Sequence, residues 1–354
     1  MSKMTDFKEK ILQSIKKVDI PILVIVLFLI SLFVLAAFTS VSITGLLNDS
    51  LVRIGMNGVL VLAMLPTIRA GIGPNFGLPF GIIGGLLGML IVMQYQIMGP
   101  VGFLIAIVIS VLFNLLFGWV YSWLLDKVRG QEMMVETYVG YSIVAFMSIM
   151  WLILPFSNPE MVWAIGGRGL RYTLTLQGYF DKVLNNFLRF KIFGDLYFPT
   201  GLMLFFALMC YIIYLFFRTK AGLGIDLVGQ NEMYAISSGV KPKVARRNAV
   251  ILSTVLGGIG IIVYAQSYGF VQLYQAPLFM TFPAVASILI GGASIKRASI
   301  ANVVFGTVIF QTLLTVSLPV LSQITRGDIT EVLRLIVSNG MILYALTRAP
   351  KEAN

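Results

Sequence analysis

The chain has 354 residues, 58% of them hydrophobic and only 12% charged, a balance outside that of soluble globular domains. It has no His and one Cys, Cys210, which excludes a Cys/His zinc site, a Ser-His-Asp triad, a His proton relay and any disulfide within the chain. The net charge of +11 comes from Lys and Arg gathered at the ends of apolar runs rather than interleaved with aromatics, which points to a membrane surface and away from nucleic acid.

Residues 1–19 carry Lys3, Lys8, Lys10, Lys16 and Lys17, with Phe7, Ile11, Leu12 and Ile15 at helical spacing. An amphipathic segment on the inner leaflet is expected there. The apolar run 20–38 exceeds the hydrophobic core of a secretory signal, about 7–15 residues, and is expected to be an uncleaved first span. A second span is expected over 51–68, ending at Arg69, and the breaker-rich stretch 71–77 follows it. The third, 78–98, brings Gly77, Gly81 and Gly85, with the offset pair Gly84 and Gly88, to four-residue spacing. That spacing puts small residues on a helix face and lets another helix approach closely.

A fourth span over 101–125 has Asn114 near its middle and is followed by Asp126, Lys127 and Arg129. The fifth is expected over 136–154. The longer polar segment 155–197 then lies outside the membrane. Within it Phe180, Val183, Leu184, Phe187 and Leu188 share one helical face, the pattern of an interfacial helix. Arg168 and Arg171, set among Gly166, Gly167 and Gly169, are candidates for docking an external protein by charge. Further spans are expected over 198–217, 248–266, a Pro-led segment 283–292, 299–318 and 330–347, with a basic tail over 348–354. The fold class is therefore all-α and polytopic, with about ten transmembrane helices forming one domain over 20–347. Most of the 26 basic residues fall on one side if both termini are cytoplasmic.

No ionisable residue falls at a span centre; Glu136, Glu331 and Arg334 lie near expected ends. This argues against a proton-driven carrier and an intramembrane hydrolase. A path for solute is then lined by neutral amides, and Asn57, Asn114, Gln311 and Asn339 are the candidates. The plainer role for each is an interhelical hydrogen bond, worth ~0.6 kcal/mol on average. The stretch Gly291-Gly292-Ala293-Ser294-Ile295-Lys296 lacks the spacing of a phosphate-binding loop, so ATP chemistry is expected elsewhere.

The polar run 218–247 stands between two spans and holds Arg218, Lys220, Lys241, Lys243, Arg246 and Arg247, which place it in the cytoplasm. Residues 231–238 are predicted to form a short helix bracketed by Gly229 and Gly239. Gly229, Asn231, Glu232, Met233, Tyr234, Ala235, Ile236 and Gly239 are thus candidates for a knob that docks in a partner's groove. The alternative is a solvated connector.

The order Arg218-Thr219, Gly222, Gly229-Gln230-Asn231, Ala235, Gly239-Val240 and Ser253, continued by Ile290-Gly291-Gly292-Ala293-Ser294, resembles the cytoplasmic coupling loop of permease subunits in ATP-binding-cassette importers. The family is that of sugar, nucleoside and branched-chain amino-acid permeases. Arg69-Ala70-Gly71-Ile72 with Asn75 and Gly77, and Gln131-Glu132-Met133-Met134-Val135-Glu136-Thr137, are similar to its nucleoside branch. The Asp-Leu-Ser-Val-Gly signature of the ribose branch is absent; Gly77-Leu78-Pro79-Phe80-Gly81 stands near its place. The resemblance implies a non-enzymatic permease of the cell membrane with no cofactor of its own. A separate ATPase subunit holds ATP and Mg, a second permease subunit completes the path, and an external or periplasmic binding protein delivers a sugar or nucleoside. From outside this family, the rival is an ion-coupled secondary transporter holding Na⁺ on backbone carbonyls.

Overall fold

A computed structural model describes residues 20–39, 41–163, 169–274 and 276–324, together with Gly340. The expected tenth span, Asn339, Arg168 and residues 1–19 lie outside the described residues. The described chain is mostly helical, with two short antiparallel strand pairs. Among the described residues six helices are long and apolar enough to cross a membrane: Ile43–Arg69, Gly99–Leu125, Glu132–Ile153, Thr200–Phe217, Pro242–Tyr268 and Ile300–Gln323. Three further apolar helices, Leu23–Phe38, Pro79–Gln94 and Ala276–Ile290, are shorter.

Elements are numbered in chain order. After α1 (Ile20–Phe38), α2 (Ile43–Leu62) starts at Ser42, whose hydroxyl accepts the Gly45 N–H at 3.2 Å. The helix breaks at Ala63 and resumes as α3 (Leu65–Arg69), with Pro66 in its first turn, where a missing N–H is tolerated. The Ser253 hydroxyl donates to the Ala63 carbonyl at this break, 2.5 Å away. Gly71 and Gly73 then turn the chain with φ of +72° and +111°.

The core is built around α4 (Pro79–Gln94), which is apolar on every side and almost wholly buried. At 16 residues it is about 24 Å long, short of a ~30 Å hydrocarbon layer. It packs against α5 (Gly99–Leu125) and the long α11 (Pro242–Tyr268). The expected small-residue face is what allows this. A Cβ on Gly81 would strike the Thr254 carbonyl, one on Gly85 the Gly258 carbonyl at 2.5 Å, and one on Gly88 the Ala106 carbonyl at 2.5 Å. α6 (Glu132–Ile153) lies at the periphery of this group, mostly exposed. α14 (Ile300–Ile324) packs on α2 and on the short α13 (Thr281–Ile290), which follows the single turn α12 (Ala276–Phe279).

One end of the bundle carries residues 155–163 and 169–199. β1 (Thr173–Thr175) pairs with β4 (Phe270–Gln272), Leu174 opposite Val271. β2 (Phe190–Phe193) pairs with β3 (Leu196–Phe198), and Asn48 clasps that hairpin by donating to the Asp195 carbonyl and accepting the Tyr197 N–H, both at 2.7 Å. The interfacial helix expected here shrinks to α7 (Val183–Asn186). Lys182 and Leu188 adopt left-handed backbone (φ +52° each), which stops the helix on both sides. Phe180 is buried while Phe187 and Leu188 are exposed, so the five residues do not form one face.

Candidate functional site: the loop between α8 and α11

The opposite end of the bundle gathers the polar run. α8 (Thr200–Phe217) stops at Arg218, and Thr219 caps a new helix, α9 (Lys220–Gln230). The Thr219 hydroxyl accepts the Gly222 N–H at 3.3 Å and donates to the Phe216 carbonyl at 2.7 Å. α9 packs on α3 and α11. Arg69, at the end of α3, joins them: its Nε lies 3.3 Å from Asp226 Oδ1 and its guanidinium sits 4.2 Å above the Phe217 ring. Burial pushes the Asp226 carboxyl above the usual carboxylate range, and the Arg69 charge opposes that rise. The two backbones touch directly. A Cβ on Gly229 would strike the Arg69 carbonyl, and one on Gly71 would lie 3.2 Å from Gly229 Cα. Gly229 therefore serves close approach between chain segments, rather than a turn.

α10 (Glu232–Ser237) follows at once. Asn231 is its N-cap, the side-chain oxygen accepting the Tyr234 N–H at 3.0 Å, and Glu232 sits in the first turn, where the helix dipole favours an anion. At the other end Gly239 takes φ +81°, while its N–H bonds the Ile236 carbonyl and the Val240 N–H bonds the Ala235 carbonyl, both at 2.9 Å. This pair of bonds is a Schellman motif, which needs a left-handed residue at Gly239. Ala235 is fully buried against the body of the protein. Met233, Tyr234 and Ile236 are 77%, 60% and 54% exposed. A six-residue helix with both ends capped, a small residue inward and three large apolar side chains outward is a projection whose apolar surface no described residue covers.

One ion pair ties this projection to the turn between α5 and α6, and two more tie the start of α11 to that turn and to the start of α6. Arg129 meets Glu232 at 3.0 Å and Lys243 meets Asp126 at 3.5 Å, while Arg246 pairs with Glu132 at the start of α6 in a shielded position. Beyond α9 a polar cavity of about 410 Å³ is lined by Arg69, Asp226, Gln230, Lys296, Arg297 and Ala298. Sequence reasoning did not find α9 or these pairs. The cap at Thr219 was available as a signal, but partners over a hundred residues apart leave none in a single sequence.

Among the described residues, the candidate path residues Asn57, Asn114 and Gln311 sit on separate helices, and none lines a described cavity. Asn57 on α2 is 8% exposed and donates to the Arg53 carbonyl at 2.9 Å. Asn114 on α5 is fully buried, donates to Ser110 Oγ at 3.1 Å and fills the space left by Gly84 and Gly258. Its surroundings are those of a packing group. Gln311, on α14, is 3% exposed. Arg171 is engaged within its own segment, donating to the Val162 carbonyl at 2.7 Å and the Pro159 carbonyl at 3.0 Å. Glu136, read from the sequence as lying near a span end, stands on the second turn of α6, where it is fully buried and accepts the Phe76 N–H at 2.9 Å.

The described chain is thus a bundle with six helices able to cross a membrane, bearing a capped, apolar-faced helix on a basic loop. The family described as branched-chain amino acid transport system / permease component matches residues 46–346, and the chain belongs to it. It is also 30% identical, over 118 residues, to the nucleoside ABC transporter permease protein NupC of Lactococcus lactis subsp. cremoris (strain MG1363). That match covers 32% of this chain and 37% of the relative, so the chain spans little more than a third of the curated relative it matches. No solved structure matches. The protein is thus an ABC-type permease of the cell membrane.

Proposed function

We propose that this chain is the path-forming subunit of an importer for a small polar solute, a sugar or a nucleoside, with α10 docked in a groove of a separate ATPase subunit. The observation that carries the reading is the exposed Met233, Tyr234 and Ile236 face on a helix capped at both ends. The likeness to a nucleoside ABC permease favours a nucleoside. ATP and Mg belong to the ATPase, and this chain holds no cofactor. An external binding protein supplies the solute, and a second permease subunit, identical or similar, completes the path. In this reading the chain crosses about ten times with both termini cytoplasmic; supporting the cytoplasmic side for the end that bears α10, Arg69, Arg129, Lys243, Lys296 and Arg297 gather there.

In this reading ATP-driven closure of the partner pulls on α10. The pull passes through the ion pairs of Glu232, Lys243 and Arg246 to the α5–α6 turn, and through Gly229 to Arg69 and α2. Purification of the tagged full chain from its native membrane tests the proposal. An ATPase subunit should co-purify, and the complex in vesicles should take up labelled uridine or ribose on addition of ATP. Solute uptake driven by an ion gradient, with no ATPase recovered, would overturn it.

A further inference from the structure

The polar cavity beside α9 has no part in the roles above, yet among the described openings it has room for a ligand. The crevices beside Phe282 and Tyr268 leave about 10 Å³ each, a single water at most, whereas this one leaves about 410 Å³. Small-molecule sites fall at about 300–1,000 Å³. Three separate segments wall it: Arg69 at the end of α3, Asp226 and Gln230 in the second half of α9, and residues 296–298 after α13. The last segment is fixed by a turn. There the Ser294 N–H donates to the Arg297 carbonyl at 2.8 Å, and the Arg297 N–H donates to Ser294 Oγ at 3.0 Å.

The side chains on these walls share one chemistry. Arg69, Lys296 and Arg297 stand against a single lining carboxylate, that of Asp226. Positive charge at the cytoplasmic end of a bundle is ordinary on an outward, solvated surface. Walling a cavity with it is different, because a concave cationic surface focuses potential and draws anions in. Arg69 is also held ready. Its guanidinium sits over the Phe217 ring and meets Asp226 through Nε, while Gly229 packs against its carbonyl. A guanidinium presents its N–H donors as a rigid fork, so those beyond Nε can grip two oxygens of one anion. A phosphate group offers more acceptor oxygens than a carboxylate, spread in three dimensions, and so can be held from several walls at once. Gln230 adds an amide, both donor and acceptor, for the uncharged remainder of such a molecule.

We propose that this cavity is a binding site for a phosphate group, carried by a soluble phosphate ester or by the headgroup of an anionic lipid. Arg69 and Arg297 are its direct contacts, with Lys296 and Gln230 beside them. Neither the transported solute nor the partner of α10 enters into this assignment. Its position still gives it a consequence. α10 follows α9 directly, so a phosphate that bridges Arg69 and Arg297 along the wall of α9 steadies the base of the docking helix.

Arg297 and Lys220 are both exposed, but Arg297 lines the cavity and Lys220, at the start of α9, does not. Arg297→Gln and Lys220→Gln therefore remove the same charge from inside and outside the site, and neither disturbs packing. The full chain in neutral detergent should broaden the phosphorus NMR line of inorganic phosphate at constant ionic strength. Arg297→Gln should weaken that binding by about tenfold, the loss expected for hydrogen bonds to a charged group, and Lys220→Gln should leave it unchanged. Arg69→Lys, which keeps the charge but not the fork, should weaken it by about fivefold. Native mass spectrometry of the chain extracted from vesicles of phosphatidylcholine and phosphatidic acid separates the two sources. Phosphatidic acid retained by the parent and lost by Arg297→Gln assigns the site to a lipid headgroup. Phosphate binding with no retained lipid assigns it to a soluble ester. Binding of neither probe overturns the proposal, and so does equal weakening by Arg297→Gln and Lys220→Gln, which marks diffuse surface charge only. None of these results depends on recovery of an ATPase or on uptake.

Discussion

A Tyr234→Asp, Ile236→Asp double variant should insert in the membrane at the parent's level, yet lose the ATPase subunit and all ATP-driven uptake. Both side chains are exposed, so no packing within the chain is lost and folding is spared. The cost falls entirely on the docked state, where two carboxylates would enter an apolar groove without partners. Burying even one such charge is prohibitive unless it finds a counter-ion, and a loss of several kcal/mol would abolish a micromolar contact. Affinity capture of the variant with its ATPase, alongside gel filtration of the variant alone, separates failed docking from failed folding. Retained ATPase and uptake would remove α10 as the docking element.

The second large effect is expected at Arg246. Its pair with Glu132 is nearly buried, the two side chains being 13% and 12% exposed, and it fastens the start of α11 to the start of α6. Arg246→Met leaves the Glu132 carboxylate without its counter-charge, a loss of about 3–5 kcal/mol for a buried pair broken on one side. The Gly130 N–H still bonds Glu132, at 2.8 Å, which softens but does not replace the loss. Adding Glu132→Gln should restore most of the stability, because the uncompensated charge is then gone. It should not restore uptake, since the link from the loop to α6 stays broken. Thermal unfolding in detergent and uptake by vesicles, read together, give both results. Equal stability of the single variant and its parent would show that the pair carries nothing.

Much of the loop was legible in the sequence because its chemistry is local. The short helix over 231–238 and its stop at Gly239 are read from residues within a few positions of each other; Asn231, read as part of that helix, is its cap, and Gly229 serves close approach instead of bracketing it. Helix existence was legible from hydropathy for the same reason. What surrounds each helix was not. The run 78–98 is read as an ordinary span, but α4 ends at Gln94, with Gln96 in left-handed backbone (φ +54°) and the Gln94 side chain accepting the N–H groups of Ser157 and Asn158. Asn114 carries the same hydropathy whether it faces a channel or the glycines of two neighbouring helices. Glu136 at the edge of an apolar run gives no sign that Phe76, sixty residues earlier, supplies its N–H. Contacts of that separation are set by packing, and only the folded chain displays them.

The most direct test of the central claim is a photo-activated cross-linker placed at Tyr234 of the full chain in intact native membranes. If α10 is the coupling element, irradiation joins the chain to a single nucleotide-binding protein, and the yield changes when ATP is added. Cross-links to lipid alone, or to no ATPase at all, from a protein that still takes up its solute, would contradict it.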